Sequence, residues 1–73
     1  MSETINADMG ASVWKVLVAA GDAVEPDTTV VVLESMKMEI PVLAEYAGSV
    51  TAVHVAEGAT VQAGDPLVDI EEP

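Results

Sequence analysis

The sequence contains no cysteine, no arginine and no phenylalanine, and its only cations are Lys15 and Lys37. Without cysteine, the disulfide frameworks and thiolate zinc sites that often support very small domains are excluded, and no metal site is expected. Thirteen acidic residues against the two lysines leave a net charge of −11. Such a surface repels phosphate backbones and anionic lipid, so nucleic acid and acidic membranes are poor partners, and neither nucleic acid nor membrane is expected as one. Aromatic content is limited to Trp14 and Tyr46, so the core must be aliphatic, built from thirteen valines, four leucines and three isoleucines. No run approaches the roughly 18 apolar residues that span a bilayer, and residues 1–10 lack the basic and apolar regions of a signal peptide. A cytoplasmic location is the expectation.

What is present is small but able to fold. A chain of 73 residues reads as one domain spanning 1–73, and a chain of this size buries only about 60% of its unfolded surface. A deep catalytic cleft and a full core would compete for the same side chains. The first eight or so residues and the last three read as short flanks. Hydrophobic content of 51% argues against disorder despite the charge.

Sliding the chain against itself by 37 positions aligns its halves, about 10–34 on 48–71. Val13, Val16, Val18, Gly21, Val24, Val30, Leu33 and Glu34 fall on Val50, Val53, Val55, Gly58, Val61, Leu67, Ile70 and Glu71. Each half reads as strands, with VWKVLV and VTAVHV rich in β-branched residues. Gly21-Asp22, Pro26-Asp27, Gly58-Ala59 and Gly64-Asp65-Pro66 supply turn chemistry between them. No window shows sustained helical periodicity. The expected class is all-β: two four-stranded antiparallel sheets closed on one another, with internal pseudo-two-fold symmetry. The middle of the chain then becomes a hairpin tip, with the two termini together at the opposite pole.

That tip is Ser35-Met36-Lys37-Met38. Two-residue hairpin turns favour Asn-Gly or Gly-X, because one or both central residues adopt φ > 0. Met36-Lys37 breaks this rule at a cost of order 1 kcal/mol or more. Two methionines around an exposed lysine also place apolar surface where a turn is normally polar. Rule violations of this kind concentrate where function overrides foldability. The plain alternative makes Met36 and Met38 core fillers and Lys37 a solubilising charge; a chain with so few bases has not scattered lysine for solubility. His54, the sole histidine, reads as a surface strand residue, and Trp14 as packing across a strand or beside a flank.

Glu34-Ser35-Met36-Lys37-Met38-Glu39-Ile40 resembles the attachment motif of biotin carboxyl carrier domains, in which the lysine of a Met-Lys-Met triplet is acylated by biotin. Gly21-Asp22-Ala23-Val24, the Ala44–Val50 segment with Gly48, and Glu57-Gly58-Ala59-Thr60-Val61 through Gly64-Asp65 to Ile70 match biotinyl and lipoyl domains over residues 4 to 71. The short form with Trp14-Lys15-Val16 is similar to small freestanding biotin/lipoyl attachment proteins, of the acetyl-CoA carboxylase carrier-subunit type. Departures are Ala7-Asp8-Met9-Gly10-Ala11 where the family often has Ala-Pro-Met-Pro-Gly, Ser35 where Ala is commonest, and a first half too short for the protruding thumb of some bacterial carriers.

The resemblance implies a flattened barrel-sandwich and a non-catalytic carrier. Lys37 would be acylated by a biotin protein ligase through biotinyl-adenylate. The carboxybiotin would carry CO2 from a biotin carboxylase to a carboxyltransferase acting on an acyl-CoA of the acetyl- or propionyl-CoA type, as in fatty acid biosynthesis. Met36 and Met38 would make adaptable apolar contacts with partner pockets. Ser35 completes the recognition motif. Glu34 and Glu39 either meet a basic rim on the partner or form a solvated acid pair. Two alternatives remain: a lipoyl carrier of a 2-oxo-acid dehydrogenase or glycine-cleavage system, disfavoured because lipoyl domains usually show Asp-Lys-Ala, and an unmodified adaptor.

Overall fold

A computed structural model describes residues 2–72. Eight strands follow in order: β1 (Ser2–Asn6), β2 (Ala11–Val16), β3 (Ala23–Val24), β4 (Thr29–Ser35), β5 (Met38–Leu43), β6 (Gly48–Val53), β7 (Thr60–Val61) and β8 (Pro66–Glu71). They form two four-stranded antiparallel sheets, in the orders β1-β8-β6-β3 and β5-β4-β2-β7. We call these sheet A and sheet B. Each sheet therefore takes strands from both halves, and the sheets interlock through the crossovers. Two prolines mark the positions where a missing N–H costs least: Pro41 on the edge strand β5, and Pro66 at the start of β8.

The core is a list of repeat mates. The twelve buried apolar residues resolve into Ala7/Ala44, Val13/Val50, Val24/Val61, Val30/Leu67, Val31/Val68 and Leu33/Ile70, each pair 37 apart. Val16, Val18, Val53 and Val55 pack against this cluster from its margin.

Backbone hydrogen bonds repeat as faithfully. Val13 N–H donates to the Ala59 carbonyl at 2.8 Å, and Val50 N–H to that of Asp22 at 2.8 Å. Gly58 and Gly21 return bonds to the Val13 and Val50 carbonyls at 2.8 and 2.7 Å. Thus each half's turn is fastened to the other half's strand. Gly21 and Gly58 have φ of 99° and 91°, the left-handed region that glycine enters freely. Extra residues interrupt the ladders at equivalent places too, Trp14 and Thr51 on the central strands, Val30 and Leu67 on their partners.

The structure departs from the sequence reading at the amino-terminal flank. Residues expected to flank the fold form β1, with Ser2 to Ile5 pairing with Glu71 to Val68. SETIN carries one strongly apolar residue, too little for an alternation signal, and its strand is formed by pairing along β8. The equivalence therefore extends past 10–34 and 48–71, since β1 is the counterpart of β5. Leu43, at the far end of β5 from the tip, lines a small pocket with Glu3 and Asn6. The ends β1 and β8 thus lie at the pole away from Lys37.

Candidate functional site

The tip is built by β4 and β5 alone. Leu33, buried in the core, faces Ile40; one step outward Glu34 faces Glu39, then Ser35 faces Met38. Only Met36 and Lys37 remain to close the turn. Their φ values are 53° and 66°. Both central residues at positive φ is the geometry that matches the right-handed twist of a hairpin and that Asn-Gly normally supplies. The expected strain is present, on two residues with full side chains, each disfavoured there by about 1–2 kcal/mol.

Met36 is 92% exposed and Met38 65% exposed, so neither packs beneath the turn. The core-filler reading of the methionines fails on these values. Lys37 is exposed, and among the described residues it forms no ion pair. Its amine stands clear at the end of a four-carbon stem, a nucleophile held on a rigid platform. Glu34 and Glu39 are both exposed and directly opposite, a like-charge pairing that disfavours the hairpin slightly. Ser35 is half-buried beside them. An open groove of about 540 Å³ runs beside the tip, lined by Ser12, Glu34, Ser35, Thr60 and Gln62 among others. It gathers no histidine, cysteine or lysine. A primary amine offered this way fits a carboxyl-bearing cofactor attached through an amide.

The family profile described as "Biotin-requiring enzyme", covering biotin and lipoyl domains, matches residues 3–70. The chain belongs to the biotin/lipoyl family. The expected cofactor, biotin, is the one that names the family's description. This biotin/lipoyl domain is 51% identical to a homolog of a biotinylated protein, from Mycobacterium leprae, over 96% of this chain and 99% of that one. It is 45% identical to a biotin/lipoyl attachment protein of Bacillus subtilis, over 92% of each. Identity to a biotin carboxyl carrier protein of Streptococcus mutans is 45% over 94% of this chain, which spans about half (53%) of that relative. In structure it superposes on part of a single-chain, multi-domain long-chain acyl-CoA carboxylase with a TM-score of 0.92 at 29% identity, covering 99% of this chain and 7% of that one. The lipoyl domain of the 2-oxoglutarate dehydrogenase complex from Azotobacter vinelandii superposes at 0.81 and 29% identity, covering 94% and 95%.

Two features escaped the sequence reading. His54 is neither isolated nor idle: its Nε2 lies 3.0 Å from an Asp69 carboxylate oxygen, while the Thr4 hydroxyl donates to the other at 2.8 Å. These contacts, the Thr4 bond foremost and then His54, hold the Asp69 carboxyl below its usual range. Trp14 is the extra residue of a bulge, 43% exposed, with the Lys15 ammonium 5.6 Å from the ring centroid. Bulges re-aim side chains. Position-by-position comparison of the two repeats flags Trp14, because Trp14 and Thr51 are mates of opposite polarity.

Proposed function

We propose that this domain is the carrier of a biotin-dependent acyl-CoA carboxylase, with biotin amide-linked to Lys37. The observation that carries this is the Met36-Lys37 turn: an exposed amine on a strained hairpin turn, between two exposed methionines. Relatives named as a homolog of a biotinylated protein and as a biotin/lipoyl attachment protein, matched over nearly their whole length, support it.

The chain's own residues have defined tasks. Neutral Nζ of Lys37 attacks the acyl carbon of biotinyl-adenylate; the bond from that carbon to the phosphate oxygen breaks, AMP leaves with the electron pair, and the nitrogen loses a proton. The amide removes one positive charge, taking the domain from −11 to −12. Met36 and Met38 give a ligase an apolar, adaptable surface around the amine. Glu34 and Glu39 offer paired carboxylates to a basic rim. Amide-linked to Lys37, biotin would supply the group that takes up a carboxyl at one active site and yields it to an acyl-CoA at another. The rigid β4–β5 hairpin presents the arm; catalysis belongs to a ligase, a biotin carboxylase and a carboxyltransferase. A cytoplasmic setting, where ATP and acyl-CoA meet, belongs to the same reading.

Intact mass of protein from biotin-replete cells is expected to show one biotinyl group, and Lys37→Arg to lose all streptavidin signal while melting normally, since guanidinium stays protonated. Signal retained in Lys37→Arg would overturn the site. A lipoyl or unmodified mass on the wild type would overturn the cofactor. Combining Met36→Asp with Met38→Ala imitates the lipoyl tip; biotinylation should fall sharply and lipoylation become detectable.

A further inference from the structure

The pseudo-two-fold that governs the core is broken on the outer faces of the sheets. On sheet A, β1, β8 and the residue that follows β6 present Thr4, Asp69 and His54, joined by the contacts described above, with Thr51 donating to the Asp69 carbonyl at 3.4 Å. Their mates on sheet B are Pro41, Val32, Leu17 and Trp14. Pro41 faces Val32, and Val32 faces Lys15, so one row crosses β5, β4 and β2. Val31 and Leu33 point inward on either side of Val32, leaving Val32 on the outer face. Every polar group of the sheet A constellation is replaced by an apolar one. Leu17 is 54% exposed and Trp14 43%, in a chain with only two aromatic residues.

This row lies one step from the tip. Glu34 and Glu39 occupy the next outward positions on β4 and β5, beside Val32 and Pro41. At the other end of β2 the Glu57 carboxylate accepts the Val16 N–H at 3.2 Å. The surface is thus an apolar strip bracketed by acids, with one cation, Lys15, over the indole.

We propose that this outer face of sheet B docks the enzyme that carboxylates the Lys37-borne group, through a complementary surface: an apolar recess for Trp14, basic groups facing Glu34, Glu39 and Glu57, and a carboxylate opposite Lys15. The proposal rests on the carrier reading above. A ligase must bring the lysine amine itself into its active site, so the tip residues meet it directly. A carboxylase acts at the far end of a long arm, where the tip no longer touches the reacting atoms. The body of the carrier must then be positioned by another surface near the tip. An enzyme using ATP and bicarbonate, both anions, has an electropositive approach to its site, which complements acids bracketing an apolar centre. A second copy of this chain is disfavoured as occupant, because two faces edged by the same acids would meet under a net charge of −11 each.

The test uses biotinylated protein, its loading verified by mass, as substrate for the purified biotin carboxylase of the same cells, with ADP release as readout and free biotin as a carrier-independent control. Trp14→Thr and the pair Val32→Asp with Pro41→Thr install residues the other sheet holds at equivalent positions, and Thr51→Ala is the sheet A control. Trp14→Thr should raise KM for the carrier about tenfold, as expected when an interface tryptophan is lost. The paired variant should do the same, with kcat, biotinylation rate and melting unchanged for Trp14→Thr. Thr51→Ala should leave KM unaltered. An unchanged KM for Trp14→Thr would overturn the proposal, as would an equal rise in Thr51→Ala. A fall in biotinylation rate alone would assign the face to the ligase, and a wild-type dimer that Trp14→Thr dissociates in sedimentation would assign it to a second copy; either overturns it. Wild-type protein that carries no biotin, or is not used by the carboxylase, would instead overturn the carrier reading itself.

Discussion

Buried and solvent-facing layers of the same two sheets obey the internal symmetry to different degrees. Inside, the twelve buried apolar residues form six mated pairs, and even the bulges and turn hydrogen bonds recur at 37 residues. Outside, Thr4, Asp69 and His54 stand where Pro41, Val32 and Leu17 stand. Close packing explains the agreement: a methylene added or lost in a core this small is felt, so both copies are held to one solution. No such constraint acts on an outward side chain. Divergence there, and at the tip, is where the two copies could take up separate work.

The comparison is broken most directly in the core. Leu33→Ala and Ile70→Ala, at mated and fully enclosed positions, should each cost about 2–5 kcal/mol in denaturant melts. Near-equal losses are expected; a tip-side Leu33 costing far less than Ile70 would show that the halves are not energetically equivalent.

Gly48 and its mate Ala11 sharpen it. A Cβ on Gly48 would collide with the Glu71 carbonyl oxygen and lie 2.9 Å from Ile70 Cγ2. Gly48→Ala should cost about 1–3 kcal/mol by overpacking against backbone that cannot swing aside, and Ala11→Gly only about 0.5–1 kcal/mol. The ratio of the two losses, from thermal melts, measures how far the sheets differ in closeness at equivalent points.

At the tip the sign reverses. Replacing Met36-Lys37 with Asn-Gly should stabilise the hairpin by about 1–2 kcal/mol while abolishing biotin attachment. A loss of stability would mean that Met36 or Lys37 holds a contact the fold needs.

The smallest effect belongs to the Asp69 constellation. Its carboxyl is held below the usual range, so the stability it contributes is present above the unfolded carboxylate pKa and is lost as pH falls through the lower folded value. Asp69→Asn should melt below wild type at neutral pH and converge with it in acid. Parallel melting curves down to strongly acidic pH would show that Thr4 and His54 do not favour the carboxylate.

Most of this architecture was readable because valine spacing and glycine placement report directly on pleat and turn. The Met36-Lys37 turn was legible as a violation, since turn chemistry leaves few alternatives for a two-residue connection. Strand β1 was not, because SETIN owes its conformation to β8 rather than to its own pattern. Nor was the Thr4–Asp69–His54 constellation, whose members lie up to 65 residues apart in sequence and meet only through register. Trp14 illustrates a third case: its strand was evident, but a bulge decides which way a side chain points.

Strands β1 and β8 place both ends of the domain at the pole away from Lys37, along a body 36 Å in its longest dimension. Anchored by either end to a larger assembly, the domain would hold its lysine at the outer limit of a tether. The local concentration of that lysine at any one active site would then depend on linker length and stiffness, and the −3/2 power dilution of a flexible tether would apply to the whole body. Two active sites could share one carrier by geometry alone, without either binding it tightly.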